Sequence, residues 1–150
     1  MPLLGRVIVI LFAIFVAMLA AGVALALGIL GPQWLPLSGD VIEESVAFWG
    51  VAMFASGVTA MIAFLPLLVA AALAEAFAVR SLLVHAVAAA AIMLLAYYSA
   101  GLGRSYEESI DAPPPLVSRE AELTIVAGLV FGLVYWAIAG RNAGRWRERM

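Results

Sequence analysis

Apolar residues along this chain come in long unbroken blocks separated by short polar breaks, and the blocks have membrane dimensions. Val7 to Leu30 is almost wholly aliphatic, and no charged residue occurs from Val7 to Gly39. At 1.5 Å per residue such a block exceeds the roughly 20 residues that cross a bilayer core. Ala24-Leu25-Ala26 behind the lone Arg6 imitates a signal-cleavage site, but the block outruns the roughly 7 to 15 apolar residues of a cleaved signal. A retained first span, about 7–30, is the expectation.

Gly31, Pro32 and Pro36 then break the helix. Asp40, with Glu43 three residues later, makes a capping-box-like start for a second span, about 46–68. Pro66 near its end removes a backbone donor and predicts a kink. From Val46 to Arg80 there are too many residues for one crossing, so Val69–Val79 is expected to leave the core or lie along the interface. Ser81 opens a third span, about 82–103, which closes in a glycine-bearing polar cluster around Arg104. Pro113, Pro114 and Pro115 cannot be helical, and Ser118 can cap a fourth span, about 123–140.

The predicted fold class is all-α: an integral membrane four-helix transmembrane bundle in a single domain of 150 residues. Composition agrees, at 66% hydrophobic and 12% charged, where a soluble domain carries about 25% charged residues. Both termini are expected in the cytoplasm by the distribution of arginines. Arg6, Arg80, Arg141, Arg145, Arg147 and Arg149 fall on one side of the spans, and only Arg104 and Arg119 on the other. Most acids lie opposite the larger arginine group. Trp34, Trp49, Tyr97, Tyr98 and Tyr106 are expected at the outer interface, and Tyr135, Trp136 and Trp146 near the inner one.

Charge and motif content narrow the chemistry. The absence of cysteine removes disulfides and thiolate metal sites, and a net charge of -2 without a concentrated basic surface argues against a nucleic-acid partner. No cofactor and no metal site are expected. The acids Glu107, Glu108 and Asp111 lack the alternating ligand pattern of a dedicated calcium loop, and Ser105 with Glu108 reads as a capping box. There is one histidine, no HExxH and no G-x-S-x-G, so an enzyme is not expected. Gly140 to Gly144 is not a phosphate loop, because no strand precedes it. The terminal arginines are assigned to anionic headgroups.

The stretch "LAEAFAVRSLLVHA", Leu73 to Ala86, holds the candidate polar site: Glu75, Arg80 and His85. Five-residue spacing puts successive members about 140° apart on a helix, so they cannot form a relay on one helical face. The plain reading is an interfacial turn, with Arg80 snorkelling and His85 in the second turn of span three. The functional alternative is a polar cluster for a solute or proton, in which His85 is the pH-sensitive group and Ser56 and Thr59 line a path. Close helix packing is expected where small residues recur: Ala52, Ser56 and Ala60 on span two, Ala86 to Ala91 on span three, and Gly128 with Gly132 on span four. The GxxxG spacing serves packing within the chain or an interface with a second copy.

That stretch, with the terminal Gly140-Arg-Asn-Ala-Gly144-Arg-Trp segment, resembles small four-span bacterial inner-membrane proteins to which no activity is attached. The resemblance implies an inner-membrane location and four spans. It does not extend to small multidrug-resistance transporters, whose first span carries an essential glutamate, because Val7 to Leu30 contains no acid. The expected function is a non-enzymatic subunit in the lipid bilayer, accessory to a larger membrane-protein complex or self-associating as a homo-oligomer. A small transporter or channel is the alternative.

Overall fold

The computed structural model describes residues 3–31, 42–102 and 118–144. Within them run four α-helices: α1 (Leu3–Leu30), α2 (Ile42–Ala76), α3 (Leu82–Ser99) and α4 (Arg119–Ile138), followed by a 3-10 turn at Gly140–Asn142. Each is long and apolar enough to cross a membrane, and the chain is a multi-pass membrane protein. The proposed start at Asp40, the acidic segment Glu107 to Asp111, the prolines 113–115 and Arg145, Arg147 and Arg149 lie outside the described residues.

Local signals account for most helix ends. Ser81 caps α3 by accepting from the Val84 N–H at 3.5 Å, and Ser118 caps α4 by accepting from the Ala121 N–H at 3.2 Å. Gly101, at φ 76, supplies the left-handed residue that ends α3 soon after Ser99. The third helix therefore stops short of Gly103.

The second helix is longer than the expected second span. The residues after Leu68 continue α2 without a break to Ala76, so that it reaches 35 residues, with Pro66 inside it. At 1.5 Å per residue that is about 52 Å, well beyond a hydrocarbon core of roughly 30 Å. The physical reason is local: the alanine-rich run from Ala70 to Ala76 favours helix, and no glycine or second proline interrupts it. Chain reversal waits for Ala78, at φ 52.

Small residues seat the helices on one another, as they must where lipid offers no hydrophobic drive for association. A Cβ on Gly132 would lie 2.5 Å from Ala86 Cα and 2.5 Å from the His85 carbonyl oxygen; one on Gly128 would lie 2.5 Å from Ala90 Cα. The α3 and α4 backbones thus touch through both glycines. The GxxxG face is occupied within the chain and is not free for a second copy. Gly22 of α1 lies against Ala52 and Ser56 of α2, both buried, whereas Ala60 is half-buried.

Packing therefore proceeds from α2 to α1, from α1 to α4 and from α4 to α3, while α2 and α3 close the ring with the least contact. Ile14, Met18, Leu67, Met93, Phe131 and Tyr135 fill the centre. Large apolar side chains on the outside, among them Phe12, Phe54, Met61 and Leu65, face the bilayer.

Candidate functional site

At one end of the bundle the start of α1, the end of α2, the start of α3 and the end of α4 converge. The side chain that organises this end is Arg6, which lies in the first turn of α1 and is 9% exposed. It forms a buried ion pair with Glu75 near the end of α2. Arg6 Nε donates to Glu75 Oε1 at 3.0 Å, and its terminal nitrogen donates to the same oxygen and, at 2.8 Å, to the Ala139 carbonyl. The other carboxylate oxygen, Oε2, accepts from the Gly144 N–H at 3.1 Å. A charge in apolar surroundings is tolerated when it is paired and hydrogen-bonded, and Glu75 has both oxygens engaged.

A second set of bonds fastens the α2–α3 turn to the segment after α4. Arg80 Nε donates to the Ala143 carbonyl at 2.9 Å, and Trp136 Nε1 donates to the Arg80 carbonyl at 2.8 Å. Gly144, at φ 74, brings its backbone against Ala78, where a Cβ would meet the Ala78 Cβ at 2.5 Å. The result is a clasp joining three helices and two turns.

His85 stands apart from that clasp. It is 8% exposed and sits in the first turn of α3, as the fourth residue of the helix. Its Nδ1 lies 2.8 Å from the Ser81 carbonyl oxygen, which can only accept, so Nδ1 carries the proton. In the neutral ring Nε2 is then the bare lone pair, and it is buried with no hydrogen-bond partner. The ring stacks on Tyr135 with centroids 5.7 Å apart, and Tyr135 stacks in turn on Phe131 at 6.3 Å.

An apolar cleft of about 240 Å³ opens between α2 and α3 beside this ring, lined by Leu67, Ala71, Phe77, Val84 and Ile92 together with His85 and Tyr135. A second apolar cleft, of about 220 Å³, lies further along the same seam and includes Thr59, Met93 and Tyr97. Both follow from the sparse contact between α2 and α3.

The expected residues thus take three separate roles. Glu75 belongs to the clasp, Arg80 holds the turn with an exposed side chain, and His85 lines a cleft. Glu75 is buried at this end of the bundle, where the Arg6 guanidinium pairs it. Ser56 and Thr59 do not line one path: Ser56 Oγ donates to the Ala52 carbonyl at 2.7 Å and lies against α1, while Thr59 lines the second α2–α3 cleft. Three residues leave side chains about 60° apart around a helix, enough here for the pair to straddle the line between the α1 and α3 contacts.

Arg6, Tyr135, Gly140 and Gly144 are the participants that sequence reasoning passed over. Arg6 had a visible signal, since counting spans puts it at the same end of the bundle as Glu75. Tyr135 is 4% exposed and joins the core through its stacks on His85 and Phe131. Gly140 is needed because a Cβ there would lie 3.0 Å from His85 Nε2. No group of three or more potential metal ligands occurs among the described residues. Compared with protein families, with characterised proteins and with solved structures, the chain matches none.

Proposed function

We propose that this chain is a non-enzymatic subunit of a bacterial inner-membrane assembly, with both termini in the cytoplasm. Its role is to present a rigid four-helix body to a partner or to further copies of itself. The observation that supports this most directly is the commitment of Glu75: Arg6 and the Gly144 N–H occupy both carboxylate oxygens. An acid held that way stabilises the bundle. It ties α1 and α2 to the segment after α4 rather than lining an open path.

Any association with a partner or copy uses a face other than GxxxG, since Gly128 and Gly132 are spent on α3. The outward face of α2 offers one such surface, with Phe54 74%, Met61 91% and Leu65 69% exposed.

Gentle extraction from the native membrane, followed by native mass measurement, tests the reading. A stoichiometric second protein, or a discrete homo-oligomer, is the expected result. A monomer that carries a solute across proteoliposomes, and loses that flux in His85→Phe, would overturn it in favour of the transporter alternative. One observation favours that second reading: the unpartnered Nε2 of His85 beside an open cleft.

A further inference from the structure

The clasp converges on one short segment, Ala139 to Gly144, which follows α4 and crosses the end of the bundle. Ala139, Gly140, Ala143 and Gly144 are buried, while Arg141 is exposed. None of those buried residues carries more than a methyl group, so little apolar surface holds the segment down. Among the bonds that do hold it are Arg6 to the Ala139 carbonyl at 2.8 Å and Arg80 to the Ala143 carbonyl at 2.9 Å. The Gly144 N–H donates to Glu75 at 3.1 Å.

Closure of this segment carries two visible costs. Gly140 lies over the Nε2 edge of His85, where a Cβ would come within 3.0 Å, yet the lone pair receives no donor. A buried acceptor without a bond is disfavoured relative to one that meets water. The second cost is at Ala78, against which Gly144 packs. At φ 52 Ala78 takes the left-handed position after α2 that glycine usually fills, and such strain persists only where neighbours hold it. Lifting the segment hydrates Nε2 and frees the turn around Ala78. Against that stand the bonds just named and the burial of two alanines.

We infer that Ala139–Gly144 is a reversible lid over this end of the bundle. Arg6 keeps Ala139 at the hinge, and Gly140 supplies the conformational freedom for the swing. Opening parts Ala143 from Arg80 and Gly144 from Glu75, and it admits water to His85 Nε2 while the four helices keep their packing. The lid is a property of the chain alone and stands whichever assembly the chain serves.

His85 is the only histidine in the chain, so it reports on the lid directly. The experiment treats the full chain in lipid nanodiscs with diethyl pyrocarbonate, which acylates a neutral imidazole at its free lone pair, here Nε2. Modification of His85 is followed by peptide mass spectrometry. An open state populated at about 0.1 to 10% gives a rate roughly ten- to a thousandfold below that of free imidazole. Arg80→Met cannot donate to Ala143 and should raise the rate about tenfold, the shift that loss of one such bond brings. Gly144→Ala, whose Cβ would stand 2.5 Å from that of Ala78, should raise it as well. Ser118→Ala removes the cap at the other end of α4, lowers overall stability without touching the lid, and should leave the rate unchanged.

Modification of the unmodified chain as fast as free imidazole would mean that nothing seals the ring, and would overturn the inference. Equal rates in the unmodified chain, Arg80→Met and Gly144→Ala would do the same. So would a rise in Ser118→Ala to match Arg80→Met, since His85 would then be reached by unfolding of the whole bundle. If Arg80→Met fails to fold, the comparison of Gly144→Ala with Ser118→Ala decides.

Discussion

Replacing Glu75 by alanine removes the centre of the clasp, and the cost follows from what is left behind. Arg6 loses both of its bonds to Oε1 and keeps only the Ala139 carbonyl, while the Gly144 N–H loses its carboxylate acceptor. The paired side chains are 11% and 9% exposed, so this is a buried pair. Removing one partner of such a pair costs about 3 to 5 kcal/mol, because the other charge stays buried and unmatched. We expect the lower value, about 3 kcal/mol, since Arg6 lies in the first turn of α1 and its long side chain can reach the interface. That corresponds to roughly a hundredfold shift in the unfolding equilibrium.

The assay is equilibrium unfolding in lipid bicelles of Glu75→Ala, Arg6→Met and the double variant, closed as a double-mutant cycle. The double variant should be less destabilised than the sum of the singles, with a coupling of about 2 kcal/mol, because an apolar end no longer buries a lone charge. Arg141→Gln, an exposed position outside the clasp, should change stability by less than about 0.5 kcal/mol. A single-variant cost below about 1 kcal/mol together with zero coupling would refute the reasoning, since that is how an exposed pair behaves.

Two further perturbations probe the backbone contacts. Gly132→Leu must drive α3 and α4 apart, since even a Cβ would sit 2.5 Å from Ala86 Cα; a loss of at least about 2 kcal/mol is expected in the same unfolding assay. Unchanged stability with an altered oligomeric state would instead place that glycine between copies. Gly144→Ala combines a left-handed φ of 74 with a contact at 2.5 Å to Ala78 Cβ. It should cost about 2 kcal/mol and raise proteolysis of the 77–81 turn. Proteolysis equal to that of the unmodified chain would show that the turn does not depend on this contact.

How far the bundle was legible beforehand depends on whether a feature is local. Ser81 and Ser118 cap the helices that their positions before apolar runs suggest, and Gly101 ends α3 where a glycine should. The end of α2 was not legible for the converse reason. A length argument about bilayer thickness cannot say where a helix stops when the residues beyond the core, Ala70 to Ala76, are themselves good helix formers.

Four apolar blocks, their class and their approximate limits were determined by the sequence alone. In a bilayer each span must satisfy its own backbone hydrogen bonds, and that requirement is written in contiguous residues. Only the tertiary structure decided the partners. Arg6 meets Glu75 across a separation of 69 residues and Ala139 across 133, and Gly132 meets Ala86 on a different helix. Those pairings depend on which faces the helices turn to one another, and no local pattern encodes a rotation. The same rotation splits Ser56 from Thr59 and leaves His85 Nε2 without a partner beside an open cleft.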